Sequence, residues 1–145
     1  MPQPYRRNSK VIDVDTNIIV SGLIKPYSDA ATILHLILTG RIKIAYDFRV
    51  LNEYEAILKR KKFNFHPQKI ELIITQIKEE GIYIDAMPLK ISLPDSDDNP
   101  FLEIAISGKI NFLVTGNKKH FPGKFCKGIK ILSPSEFLRA LAVSI

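Results

Sequence analysis

The chain has 145 residues, 46% hydrophobic and 25% charged, which suits one globular domain able to bury a core without staples. A single cysteine, Cys126, excludes an internal disulfide, and no run of about 18 apolar residues exists to cross a membrane as a helix. The net charge of +6 is unevenly placed: six lysines and no acid lie between Glu103 and Glu136, beside a Lys59-Arg60-Lys61-Lys62 cluster and an Arg6-Arg7 pair near Lys10. Such patches attract polyanions, chiefly nucleic acid. The polar, basic start MPQPYRRNSK is followed by no clean apolar stretch, so no signal peptide and a cytoplasmic location are expected.

In chain order, residues 10–16 (KVIDVDT) predict a short buried strand that ends in acidic residues. Residues 17–24 read as a short helix halted before Pro26. Residues 28–39 carry apolar positions at helical spacing, with Ser28 or Asp29 as N-cap and Gly40 as the stop. Residues 41–46 alternate as a strand. Residues 48–60 return to helical spacing through Phe48, Leu51, Ala56 and Leu58. A further amphipathic helix is expected over 66–80, with Pro67 near its start and Gly81 after its end. A strand over 82–86, a polar loop over 87–98, a helix over 101–107 and strands over 111–115 and 128–132 follow. A capped helix over 133–142 completes the series.

Strands that alternate with helices imply βαβ units, hence an α/β domain with a central, mainly parallel sheet and helices on both faces. No repeat or linker divides the chain, so residues 1–145 are read as a single domain. Sites in open sheets of this kind lie at the carboxyl ends of the strands. The first strand ends in Asp13-Val14-Asp15-Thr16-Asn17, where alternation puts Asp13 and Asp15 on one face. An Asp in so apolar a run is costly unless it serves the strand's mouth, although Asp15, Thr16 or Asn17 would each suit a helix N-cap.

The loop PDSDDNP, residues 94–100, sets Asp95, Asp97 and Asp98 before an apolar helix. One of the three is expected to cap that helix, and three exceed what capping needs. An oxygen-rich cluster suits Mg²⁺ or Mn²⁺, whereas no Cys/His cluster suggests zinc. In Asn52-Glu53-Tyr54-Glu55 helical geometry alone does not choose between the two glutamates. After the strand at 111–115, Thr115-Gly116 leads to Asn117, which reads either as part of the same mouth or as the cap of a short helix beginning at Lys118. Cys126 reads as a bystander thiol.

The ordered set VIDVDTNIIVSGLI, LNEYEAILKRKKF, LPDSDDNPFLEIAISGKINFLVTGNKKHFP and ILSPSEFL resembles the PIN-domain family, and within it the branch of toxin components of type II toxin–antitoxin pairs. These stretches cover nearly the whole chain. The resemblance implies a three-layer α/β/α sandwich. It carries the acidic positions onto Asp15, Glu53 and Asp98, and the last of them onto Asn117, an amide where the family has a carboxylate. Asp13, Asp95, Asp97, Thr16, Asn17 and Thr115 are expected to support that site. The implied cofactor is Mg²⁺ or Mn²⁺, the implied reaction hydrolysis of RNA phosphodiester bonds. Lys118, Lys119, Lys59 and Arg60 are expected to gather the RNA. A cognate antitoxin and a homodimer are the implied protein partners, with no membrane role.

Two other readings compete. A PIN-like shell could bind RNA without cutting it, which the amide at Asn117 favours. Asp13-Val14-Asp15-Thr16 also looks like the opening motif of haloacid-dehalogenase phosphatases, but the acidic pair which that chemistry needs after Thr115 is missing.

Overall fold

The computed structural model describes residues 10–143, so the Arg6-Arg7 pair lies outside the described residues. The strands are β1 (Lys10–Val14), β2 (Ile42–Tyr46), β3 (Ile82–Tyr83), β4 (Phe112–Val114) and β5 (Lys130–Leu132). The helices among the described residues are α1 (Thr16–Ile24), α2 (Asp29–Leu38), α3 (Phe48–Leu58), α4 (Pro67–Glu80), α5 (Asn99–Ser107) and α6 (Pro134–Val143). All strand pairs are parallel, in the order β3-β2-β1-β4-β5, with Ile12 beside Ile44 and Val14 beside Val114. Helices α2 and α4 pack against β2, α6 against β4 and β5, and α5 against β1, β2 and β4. The result is the three-layer α/β/α sandwich, with Ile12, Val14, Ile44, Leu113 and Val114 at its buried centre.

Local chemistry explains most helix starts. Ser28 caps α2 by accepting from the Ala31 amide at 3.1 Å, and Asp47 caps α3 by accepting from Arg49 and Val50. Pro67 opens α4, whose cap is His66. Ser133 and Glu136 form a reciprocal capping box at α6, with bonds of 3.2 and 2.8 Å. Gly81 has no room for a side chain: a Cβ there would meet the Ile77 carbonyl at 2.3 Å and the Ile44 carbonyl at 2.7 Å.

Three expectations need correction. The strand expected over 82–86 pairs only at Ile82–Tyr83; Ile84 gives one more bond to the Tyr46 carbonyl, and the chain then leaves the sheet edge. The helix expected over 101–107 starts at Asn99, because Pro100 is at home in a first turn. The buried face of α3 is Val50, Leu51, Tyr54 and Leu58, while Phe48 and Ala56 are exposed. Phe48 instead sets its ring 5.0 Å from that of Tyr83.

Candidate active site

Strand order reverses between β1 and β4, and the crevice at such a switch point is where an open parallel sheet has room for a ligand. Asp15 follows β1 there and Thr115 follows β4. The Asp15 amide donates to the Val114 carbonyl at 2.9 Å, which locks the two strand ends together. The Thr115 hydroxyl donates to Asp15 Oδ2 at 2.8 Å and accepts from the Asn117 amide at 3.0 Å. Thr115 therefore fixes the first carboxylate and the following turn at once. Asp15 occupies the N-cap position of α1, yet its side chain closes no capping bond. Burial pushes its pKa up; the Thr115 hydrogen bond, the nearby Asn17 and Thr16 amides and the His120 charge pull against that.

Glu53 comes from α3. It is half-buried and accepts a hydrogen bond from the Thr16 hydroxyl, directly beside Asp15. Burial, then the Asp15 and Asp97 charges, raise its pKa, opposed by Thr16 and Arg60. Glu55 instead pairs with Lys59 at 3.2 Å on the open side of the helix. Of the two glutamates, Glu53 is the one brought to the mouth.

Asp98 ends a 3-10 turn (Ser96–Asp98) and stands at the start of α5, buried and without a capping bond. The expectation that an aspartate caps α5 is thus not met; Asp95 caps the 3-10 turn, accepting from Asp97 at 2.9 Å. Asp98 Oδ2 lies 3.0 Å from Nδ1 of His120, at ion-pair distance but without hydrogen-bond alignment. Burial, with the Asp15, Asp95 and Glu53 charges, raises the Asp98 pKa to about 6 against the pull of His120.

Asp15, Glu53 and Asp98 thus share one mouth and feel one another's charge. They are less tightly gathered than expected. Among the described residues no group of three His, Cys, Asp or Glu side chains stands close enough to hold an ion as it is. Carboxylates with no cation between them repel, and Glu53 spends an oxygen on Thr16. The donor set still fits a hard divalent cation: every acid is an oxygen ligand, and Asp98 Oδ2 is buried with no hydrogen-bond donor aligned to it.

The supporting residues divide. Asp13 lies one pleat deeper, fully buried with neither oxygen hydrogen-bonded; burial and the Asp15 and Asp47 charges raise its pKa. Asp95 and Asp97 are exposed on the rim, their charges reaching Asp98 and Glu53 respectively, and Asn17 is exposed beside Asp15. Asn117 precedes a 3-10 turn (Lys118–His120), but its side chain does not cap it. Lys118 is held by Glu136 at 2.9 Å, whereas Lys119 is exposed with no carboxylate within 4 Å among the described residues. Cys126 is buried, its thiol 3.3 Å from the Pro122 carbonyl.

Sequence reasoning missed three groups. Tyr54 is fully buried, and its hydroxyl donates to the Val14 carbonyl at 2.5 Å, tying α3 to the end of β1. Its spacing of four from Val50 is the signal, hidden by taking Phe48 as the anchor of the apolar face. Arg49 bridges Asp47 at 2.7 Å and buried Glu103 at 2.6 Å, joining α3 to α5. His120 is separated from Asp98 by 21 intervening positions, so no local pattern links them.

Residues 11–119 match the family model described as PIN domain. The chain belongs to the PIN-domain family. The phosphatase reading falls with that match. Among solved structures this PIN domain is similar to the crystal structure of VapBC2 from Rickettsia felis bound to a DNA fragment from their promoter. That likeness has a TM-score of 0.54 and 20% identity, and covers 85% of this chain and 98% of that one. At that identity it speaks for the fold. No curated protein matches the chain in sequence. No helix among the described residues is long and apolar enough to cross a membrane.

Proposed function

We propose that this PIN domain is a metal-dependent endoribonuclease and the toxin component of a toxin–antitoxin pair, acting in the cytoplasm. The observation that carries the reading is the meeting of Asp15, Glu53 and Asp98, from three separate segments, at the switch-point mouth, each with its pKa pushed up. Carboxylates raised by burial and gathered at a mouth are poised to take up a cation. Asp15, Glu53, Asp98 and the Asn117 side-chain carbonyl would hold Mg²⁺ or Mn²⁺. Such an ion, when bound, lowers the pKa of a water and neutralises charge on the phosphoryl group.

The remaining work falls to the chain. Thr115 holds Asp15 Oδ2 and so fixes the Asp15 carboxylate at the end of β1. Thr16 positions Glu53. His120 supplies a cation-capable group beside Asp98 and a donor for a phosphate oxygen. Lys119, with Arg60 and Lys59 on the other flank, draws the RNA backbone. The likeness to VapBC2 supports a cognate antitoxin as partner; a homodimer is what the toxin-branch resemblance implies.

A non-cleaving RNA-binding role is the second reading, favoured by the amide at Asn117. One experiment separates the two: incubation of a single-stranded RNA with the protein in chelator, Mg²⁺ or Mn²⁺. Cleavage that needs the metal and is lost in Asp15→Asn supports the nuclease. Tight binding with no cleavage under any metal supports the binder.

A further inference from the structure

A second concavity, of about 660 Å³, lies where α3 ends and α4 begins. Leu58, Ile70 and Phe65 supply its apolar lining, and Lys59, Arg60 and Lys61 its cations. That volume lies within the range of small-ligand pockets, enough for a nucleobase with its sugar. Glu55 and Glu71 also line it, and Glu55 neutralises Lys59. Arg60 and Lys61 have no carboxylate within 4 Å among the described residues, so two cations remain uncommitted.

The aromatic part is built. Phe63 and Phe65 stack with ring centroids 5.2 Å apart and planes 11° from parallel. Asn64 between them adopts a left-handed backbone (φ 53), a conformation that Asn tolerates better than most residues. Lys62 sits over the Phe63 ring at 5.1 Å. Phe65 therefore lines a cleft edged by cations, partly buried against the core and backed by the Phe63 ring. The cleft also points somewhere: Arg60 lies just beyond the end of α3, the helix that carries Glu53, and Glu53 feels its charge.

We propose that this cleft is a subsite for single-stranded RNA, holding a base against Phe65 and its phosphates on Arg60 and Lys61, a few nucleotides along the strand from the carboxylate mouth. The proposal rests on the ribonuclease reading for its choice of RNA. Stacking on an aromatic plate is tolerant of base identity and requires an unpaired base, while adjacent cations track the backbone. An acidic peptide would use the cations, leave the plate idle and meet Glu55 and Glu71.

The test is fluorescence anisotropy of a labelled uridine octamer with the full chain in chelator, where cleavage is suppressed. Phe65→Leu keeps apolar volume but loses the π-face, and should weaken binding about tenfold. Phe65→Tyr should bind as wild type does. The surface double variant Arg60→Gln/Lys61→Gln should lower the salt slope by about 1.4, from about 0.7 per lost phosphate contact on a single strand. Lys25→Glu, the same charge change at the end of α1 away from Asp15, should leave the slope unchanged. The proposal is overturned if Phe65→Leu and the double variant both bind as wild type does, if octaglutamate competes as well as unlabelled octamer, or if the wild type binds no octamer. Loss of binding in these variants, with no cleavage by the wild type in Mn²⁺, defeats the ribonuclease reading and leaves the subsite standing.

Discussion

Asp98→Asn should stabilise the metal-free protein while removing its activity. The Asp98 pKa rises from the ordinary 3.8 to about 6 in the folded state. Between those values the folded protein holds a proton that the unfolded chain has lost. Stability therefore falls as pH climbs through that window, and the full cost stands above pH 6. A shift of roughly two pKa units corresponds to about 3 kcal/mol. The mouth opens to water on one side, so screening leaves about 1 kcal/mol. For a domain of this size that is about 3–5 °C in melting midpoint. The assay is thermal unfolding of wild type and variant in chelator at pH 4, 6 and 7.5. The variant should melt higher at pH 7.5, and the gap should close toward pH 4. Mn²⁺ should then raise the wild type and leave the variant nearly unmoved, because ligand that binds only the folded state raises the midpoint. A variant that melts at or below the wild type in chelator at pH 7.5 would refute the claim that Asp98 is held at an electrostatic cost.

Asn117→Asp adds a carboxylate to the same mouth, so the variant should melt lower than wild type in chelator and gain more on metal addition; equal metal-induced shifts would place Asn117 outside the site. Tyr54→Phe removes the buried bond to the Val14 carbonyl and should cost about 1 kcal/mol in denaturant unfolding, with an unchanged midpoint counting against that bond. Lys119→Glu should weaken RNA binding and flatten its salt dependence, and an unchanged slope would make Lys119 a solvated surface residue. Lys118→Glu should in addition destabilise α6, since it sets a like charge against the Glu136 that caps it.

The fold was readable where pattern and punctuation agreed. Ser28, Pro67, Gly81 and Ser133 each marked an end that the structure confirms within a residue or two. The edge strand β3 was overextended because IYIDA alternates well, whereas pairing at an edge depends on how far the neighbour β2 runs. The mouth was partly legible. Asp15 follows from its placement at a strand end, whereas placement before a helix marks Asp95, Asp97 and Asp98 alike, and only the family resemblance singles out Asp98. Glu53 does not follow from periodicity, because Phe48 fits the apolar spacing yet lies exposed with its ring against Tyr83. The partners that orient these acids, Thr115 to Asp15 and His120 to Asp98, are contacts across the sheet and between distant loops. Only the parallel pairing of β1 with β4 brings them together, and sequence spacing does not encode that pairing.

The most direct measurement is the single-turnover rate of RNA cleavage in saturating Mn²⁺ for wild type, Asp15→Asn, Glu53→Gln and Asp98→Asn, each verified as folded. If the three carboxylates act as one metal-dependent site, the wild type cuts only with metal present, and each variant loses about a hundredfold or more, in line with the loss of a preorganised electrostatic group. Wild-type cleavage that persists in chelator, or any one of the three variants cutting at the wild-type rate, would contradict the account.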